Sequence, residues 1–231
     1  EAGDITAGER LLSTRRAIDE RPQVDCDGVV STWDAFATSQ DMDSKLYGTG
    51  AAEVIRSERE RRGESQRAFA KRYGTDQAAI SDYEIGNRDV PVWLLGEIGH
   101  RPESLHGLNY DTVFENPFPL TWSPALARVI GNLLGDGSVH VDEAENVVDV
   151  RYHNTDQRLI KRFVADIESL FGFEPTVSDR PGREDNHSRR YQVNLPTAVG
   201  RVVQYILKTV LSDGCPVVPE PLQPVFVGAL F

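Results

Sequence analysis

Apolar residues recur along this chain at two periods, and the places where the period changes divide it into regions. Residues 1–50 keep no strong period, are rich in Asp, Ser, Thr and Gly, and break at Gly48-Thr49-Gly50. That pattern predicts a weakly structured lead-in, or the end of a preceding domain. From Ala51 to about Gly99 the pattern predicts four short helices, separated at Gly63, Gly74 and Gly86–Asp89, the last restarting with Pro91 at its first position. Residues 100–121 carry Pro102, Pro117 and Pro119 among Gly and Asn and read as a linker. From Trp122, Ser123-Pro124 opens a helix in which Leu126, Val129, Ile130, Leu133 and Leu134 recur at helical spacing up to Gly135. Alternating strands follow at about 138–142 and 147–153, joined at Asp142–Asn146. Thr155-Asp156 caps a helix with Leu159, Phe163, Ile167 and Leu170 on one face. Two further strands, about 174–180 and 189–195, flank the polar loop Pro181–Ser188, and a last helix runs from Thr197 to Leu211. The expected architecture is a mostly α bundle at 51–99, then, from 122 to 231, an α+β unit in αββαββα order with an antiparallel sheet.

Charge complicates any partner. The net charge of −11 opposes binding to nucleic acid, which favours basic surfaces. Residues 1–50 and 91–150 hold most of the acidic excess, however, while 51–90 is balanced and 151–201 is slightly basic. Lys45, Lys71, Lys161 and Lys208 are the only lysines, so nearly all positive charge is Arg. Acid-rich, lysine-poor composition resembles that of proteins from extreme halophiles. In molar salt the screening length is roughly 3 Å, so net charge steers little and contact chemistry decides binding. Cys26 and Cys215 stand alone, without metal-ligand spacing, and read as reduced thiols. No stretch approaches the ~20 apolar residues of a membrane span, so a soluble cytoplasmic protein is expected. A start at Glu1 and an end inside an apolar run suggest part of a longer polypeptide.

The segment Val54–Ile98 resembles the helix-turn-helix of phage-repressor-like regulators, through Arg61-Arg62-Gly63-Glu64-Ser65-Gln66, Phe69-Ala70, Thr75 to Glu84 and Gly86-Asn87-Arg88. Ser65 suits a helix cap, Ala70 a close helix contact and Gly74 a tight turn. Ile80 and Tyr83 would anchor the recognition helix, leaving Gln77, Ala78, Ser81 and Asp82 toward base edges. Gln77 could read adenine, and Asp82 tolerates DNA only by accepting from cytosine. The resemblance implies phosphate contacts for Gln66 and Arg88.

Val129-Ile130-Gly131-Asn132-Leu133-Leu134-Gly135-Asp136-Gly137-Ser138-Val139 resembles the LAGLIDADG motif of homing endonucleases, and the αββαββα order extends that resemblance to Leu211. It implies a helix packed through Gly131 and Gly135, and a Mg²⁺ site to which Asp136 gives its carboxylate and Gly135 its carbonyl. One acid per motif would then activate water for phosphodiester hydrolysis. On the strands, alternation buries Val148, Val150, Tyr152, Tyr191, Val193 and Leu195 and turns Asp149, Arg151, His153, Arg190, Gln192 and Asn194 to the other face, with Thr176, Ser178 and Arg180. Arg151, His153, Arg180, Arg190, Gln192 and Asn194 are the DNA contacts this predicts. Phe226-Val227-Gly228-Ala229-Leu230-Phe231 resembles the start of a second such helix, with Gly228 matching Gly131 and the second acid beyond residue 231. The lysine that the family often places shortly before Pro219 is missing, since Pro216 and Val217 stand there.

The resemblance implies a site-specific double-stranded DNA endonuclease with an accessory DNA-binding helix-turn-helix. Such enzymes often lie within inteins, with a host protein in cis. His153-Asn154-Thr155 mimics an intein end but falls within a strand, and Cys26 lacks an intein start, so the splicing parts are not visible. Two rivals stay open: a transcription regulator with a catalytically dead domain, and an inert remnant.

Overall fold

The computed structural model describes residues 28–38, 46–108, 113–115, 117–142, 147–180, 190–212 and 215–231. Strand β1 (Val29–Ser31), helix α1 (Trp33–Ala37) and strand β2 (Leu46–Gly48) occupy part of the expected weakly structured lead-in. Trp33, Phe36, Ala37 and Leu46 are buried there. Each large apolar side chain so removed from water contributes about 1.5–3 kcal/mol. Packing across the chain therefore holds elements too short to show a period. Cys26 and the rest of residues 1–27 lie outside the described residues.

Three helices follow, α2 (Ala52–Arg61), α3 (Gln66–Arg72) and α4 (Gln77–Glu84). The Ser65 hydroxyl caps α3 by accepting from the Ala68 amide at 3.2 Å, and Asp76 caps α4 by accepting from Ala79 at 2.7 Å. Gly74 takes φ +66° in the turn between them, a conformation that costs glycine no Cβ clash. Strand β3 (Val90–Pro91) leads into α5 (Val92–Glu97), which Pro91 precedes as the capping residue, one position earlier than predicted.

The expected linker is built into sheets. It contributes β4 (Ser104–Gly107), β5 (Val113–Glu115) and β6 (Leu120–Thr121). β3-β2-β4-β5 form one antiparallel sheet and β6 pairs with β1. The N-terminal region is thus a mixed α/β unit and departs from the mostly helical bundle that the sequence predicted. Its strands span two to four residues, too few to register as alternation beside three prolines.

The C-terminal region follows the predicted order: α6 (Pro124–Asp136), β7 (Gly137–Asp142), β8 (Val147–Asn154), α7 (Gln157–Phe171), β9 (Thr176–Arg180), β10 (Arg190–Leu195) and α8 (Thr197–Val210). The strands form one antiparallel sheet in the order β7-β8-β10-β9. A short hairpin, β11 (Leu211–Ser212) with β12 (Cys215–Pro216), and a 3₁₀ turn at Glu220–Leu222 lead to α9 (Gln223–Leu230). One sheet face carries the helices. The Tyr152 ring stacks on Phe163 of α7 at 4.5 Å. Gly200 lets α8 lie close on β8, where a Cβ would stand 3.1 Å from the Val148 carbonyl oxygen. Both regions share a core, since Phe36 meets Phe118 at 4.6 Å and Tyr205 at 5.2 Å.

Helix α6 is buried almost all round, with Leu126, Ala127, Val129, Ile130, Gly131, Asn132 and Leu133 inside. A Cβ at Gly131 would stand 2.6 Å from the Phe226 carbonyl oxygen and 2.9 Å from the Ala229 Cβ, and one at Gly135 2.6 Å from the Leu230 carbonyl oxygen. The expected helix contact is therefore backbone on backbone, against α9. Gly131→Ala should destabilise the protein by about 1–3 kcal/mol, because the backbone it would strike cannot rotate away. Chemical denaturation measures this, and an unchanged midpoint would remove the contact from the account.

In the N-terminal helices, the buried carboxylate of Glu84 receives Arg59 Nε at 2.5 Å and Gln66 Nε2 at 2.9 Å, while Arg56 donates to the Glu84 carbonyl at 2.6 Å. Burial pushes the Glu84 carboxyl up, but the bonds from Arg59 and Gln66 and the nearby arginine charges outweigh it and hold it below its ordinary value. A carboxyl depressed on folding stabilises above its unfolded pKa and loses that contribution as pH falls through the folded one. Arg59→Ala should accordingly cost about 3–5 kcal/mol near neutral pH, and the difference from wild type should shrink as pH falls below the usual carboxylate range. Melting temperatures across pH check both the size and the sign.

Candidate nucleic-acid interface and metal centre

Two surfaces gather the residues that the sequence singled out. The first is the sheet face turned away from the helices. The strand register places Ser138, Arg151, Asn194 and Thr176 in one row across four strands, and His153, Gln192 and Ser178 in the next. Arg190 pairs with Arg180 at the far end, with the Arg180 side chain outside the described residues. Alternation thus puts polar side chains on one face and buries Val148, Val150, Tyr152, Val193 and Leu195 on the other.

Several of these residues are less free than predicted. Gln192, expected to be exposed, is buried at 3% exposure and donates through Nε2 to Asn194 Oδ1. Asn194 reaches Ser178 Oγ at 3.5 Å, so three side chains form one polar ladder. Gln192 sits on β10 between β8 and β9, with His153 and Ser178 opposite it in the register. Arg151 donates from Nε to Asp149 Oδ1 at 2.9 Å and from Nη2 to Asp149 Oδ2, which neutralises the cation that was expected to contact DNA. His153 is half-buried, and Arg190 remains exposed.

The second surface belongs to α3 and α4. Ala79, Ile80, Tyr83 and Glu84 of α4 face the core, Gln77 and Ala78 are exposed, and Ser81 and Asp82 are half-buried. Gln66, expected at a phosphate, instead spends its amide on Glu84. Arg88 is exposed, its guanidinium 5.9 Å from the centre of the Tyr83 ring.

Sequence reasoning missed two cations here. Arg56, Arg59, Arg61, Arg62 and Arg72 all pair with glutamates. Arg67 and Lys71 are exposed without an acidic partner among the described residues, and line a cleft of about 540 Å³ with Ala70, Gly74, Thr75 and Gln77. A signal existed for Lys71, which has no acid three or four positions away on either side.

Asp136 ends α6 beside the edge strand, because Gly137 pairs directly with Tyr152. Its exposed carboxylate accepts from Asn154 Nδ2 at 3.0 Å through Oδ2. That amide also donates to the Tyr152 hydroxyl at 3.2 Å, and the hydroxyl donates to Asn132 Oδ1 at 3.3 Å. Burial pushes the Tyr152 phenol above its ordinary value, against the pull of the Asn154 bond, so it stays a donor. Asn154 Oδ1 in turn accepts from the Asp156 amide at 2.9 Å, at the cap of α7. A cavity of about 130 Å³ lies alongside, lined among others by Arg128, Asn132, Asp136, Tyr152, Asn154 and Arg162.

Among the described residues no group of three His, Cys, Asp or Glu side chains could hold a metal ion, so no closed cage exists. Mg²⁺ needs less, since it keeps several waters and binds through one or two carboxylates plus substrate phosphate. Asn154 bonds the Oδ2 of Asp136, and Oδ1 accepts no hydrogen bond among the described residues. The Gly135 carbonyl lies among the last four of its helix, which lack intrahelical donors. These two oxygens could supply at most an open half-site, whose remaining ligands would have to be water and substrate phosphate.

No known family profile matches the chain, and no curated protein sequence matches it. Among solved structures, the homing endonuclease I-WcaI bound to its DNA recognition sequence is similar at 15% identity and a TM-score of 0.27, over 42% of this chain and 42% of that one. The chain therefore spans well under half of that protein's length. A likeness at this level fixes no chemistry, which rests on the geometry above.

If the cleft of α3 and α4 meets phosphate, Lys71→Ala should weaken binding to any duplex and lower the slope of log affinity against log salt by about 1. Titrations at several salt concentrations measure it. An unchanged slope would take Lys71 off the DNA.

Proposed function

We propose that this protein binds double-stranded DNA through the polar face of its C-terminal sheet and the exposed start of α4, and that Asp136 supplies one half of a Mg²⁺-dependent phosphodiester-hydrolysing centre. The observation that carries this reading is a juxtaposition. The C-terminal end of a helix packed through glycines sets a carboxylate at the edge of a four-stranded sheet whose open face carries Ser138, Arg151, Asn194 and Thr176 in one row. A sheet bearing amide, hydroxyl and guanidinium groups suits base edges and phosphates in the major groove, and an acid at its edge then lies next to the backbone of whatever duplex the sheet holds. Bound there, Mg²⁺ would polarise the phosphate and lower the pKa of a coordinated water. The helix-turn-helix reading of α2 to α4 adds a second, accessory duplex contact through Gln77, Ala78, Arg67 and Lys71. The LAGLIDADG reading, an intein context and a halophilic source stand as parts of the same proposal, resting on the motif and the composition.

A second reading keeps the binding and drops the chemistry: a DNA-binding regulator whose nuclease-like domain no longer cuts. The lone carboxylate favours it, since Asp136 is the single acid among the described residues lining the cavity beside it. One experiment separates the two. The chain, with whatever sequence continues it in the encoded protein, is offered a duplex selected from a random pool, with and without Mg²⁺. We expect Mg²⁺-dependent nicking or cleavage that Asp136→Asn removes while duplex affinity is kept. Binding without nicking in either protein establishes the regulator, and loss of specific binding to any selected duplex overturns both readings.

A further inference from the structure

We infer that the buried hydroxyl of Tyr152, held by Asn132, is a positioning group for Asp136, so that divalent-cation binding at the helix end depends on a side chain that never touches the ion. The inference rests on the proposed role of Asp136 as a magnesium ligand.

The chain of contacts is continuous and directional. Tyr152 is 1% exposed and Asn132 8%, so the far end of the chain sits inside the protein while Asp136 stands in solvent. Tyr152 donates to Asn132 Oδ1 at 3.3 Å, which turns the hydroxyl's lone pairs toward Asn154. Asn154 Nδ2 donates into that oxygen at 3.2 Å and into Asp136 Oδ2 at 3.0 Å. The opposite end of the Asn154 amide is pinned by the Asp156 backbone at 2.9 Å, which forbids the flip that would present oxygen to the carboxylate. Both ends of the chain are rigid for separate reasons. Asn132 belongs to α6, fixed by its glycine contact with α9, and the Tyr152 ring stacks at 4.5 Å on Phe163.

An exposed carboxylate at a helix end otherwise rotates freely about χ1 and χ2. Tying Oδ2 to Asn154 leaves Oδ1 as the oxygen presented to a cation. Partners of this kind behind a metal ligand typically change metal affinity 10- to 100-fold when removed.

Mn²⁺ titrated into the ¹⁵N-labelled chain tests this, read as the concentration that half-broadens the amide signals of Gly137 and Ser138. Tyr152→Phe keeps the ring and removes the hydroxyl, and Asn132→Leu leaves the hydroxyl without its acceptor. Both should raise the half-broadening concentration about tenfold. Val202→Ala, which loosens the core at a buried position of α8 outside the polar chain and the Tyr152–Phe163 stack, should leave it unchanged, as a measure of stability loss alone. Asp136→Asn should abolish the broadening. If Asp136→Asn has no effect, the magnesium reading itself is wrong and the inference goes with it. If Asp136→Asn abolishes broadening while Tyr152→Phe and Asn132→Leu do not shift it, the magnesium reading survives and the positioning role is overturned.

Discussion

Two positions without side chains set the geometry on which the rest of this structure depends. At Gly131 and Gly135, α6 lies so close to α9 that any Cβ would enter the carbonyls of Phe226 and Leu230. Neighbouring helices in proteins usually keep their axes 8–10 Å apart, separated by side chains. Removing the side chain on one face lets the two backbones meet, and the remaining faces of α6 are then free to hold the core. That is why α6 is buried nearly all round although it ends in an exposed Asp136. The helix is a central post, and its last turn projects the carboxylate out of the core at the edge of the sheet.

The two regions of the chain solve a charge problem in the same way. In a protein of net charge −11, acids outnumber bases and are at hand to pair with them. Its arginines in α2 and α3 are mostly bound to glutamates, and Arg151 on the sheet is bound to Asp149. Paired charges of this sort add modestly to stability when exposed, yet they hold guanidinium groups in fixed positions, while Arg67, Lys71, Arg88 and Arg190 stay exposed near the polar surfaces. Recognition of DNA on the proposed surfaces would lean on hydrogen-bonding amides and hydroxyls, such as Gln77, Asn194, Ser178 and Thr176, more than on long-range attraction.

How much of this was legible depended on element length and on sequence separation. α6, α7, α8 and the four strands β7 to β10 were readable because each runs long enough to repeat its period, and Ser65, Ser123 and Asp156 announced helix starts through local chemistry. The glycine contact was readable from its spacing and its small residues. The elements β1 to β6 were not, because two to four residues cannot show alternation and their burial comes from partners far along the chain. The site divided likewise. Which strand residues share a face followed from parity alone, whereas the bond from Gln66 to Glu84 spans 18 residues and the one from Asn154 to Asp136 also spans 18. Neither leaves a local trace. Gln192 was misjudged as exposed because parity gives a face and says nothing of how crowded that face is.

The central claim is that the polar sheet face beside Asp136 is the surface on which duplex DNA lies. A photoreactive amino acid placed at position 138, on that face, and in a parallel protein at position 168, on the solvent side of α7, addresses it most directly. Illumination with bound duplex should crosslink DNA from position 138, where Ser138 stands in the row of Arg151, Asn194 and Thr176, and give none from position 168, where Glu168 is exposed behind the sheet. Crosslinking from position 168 and none from 138 would contradict the account and place the DNA on the helical side of the molecule.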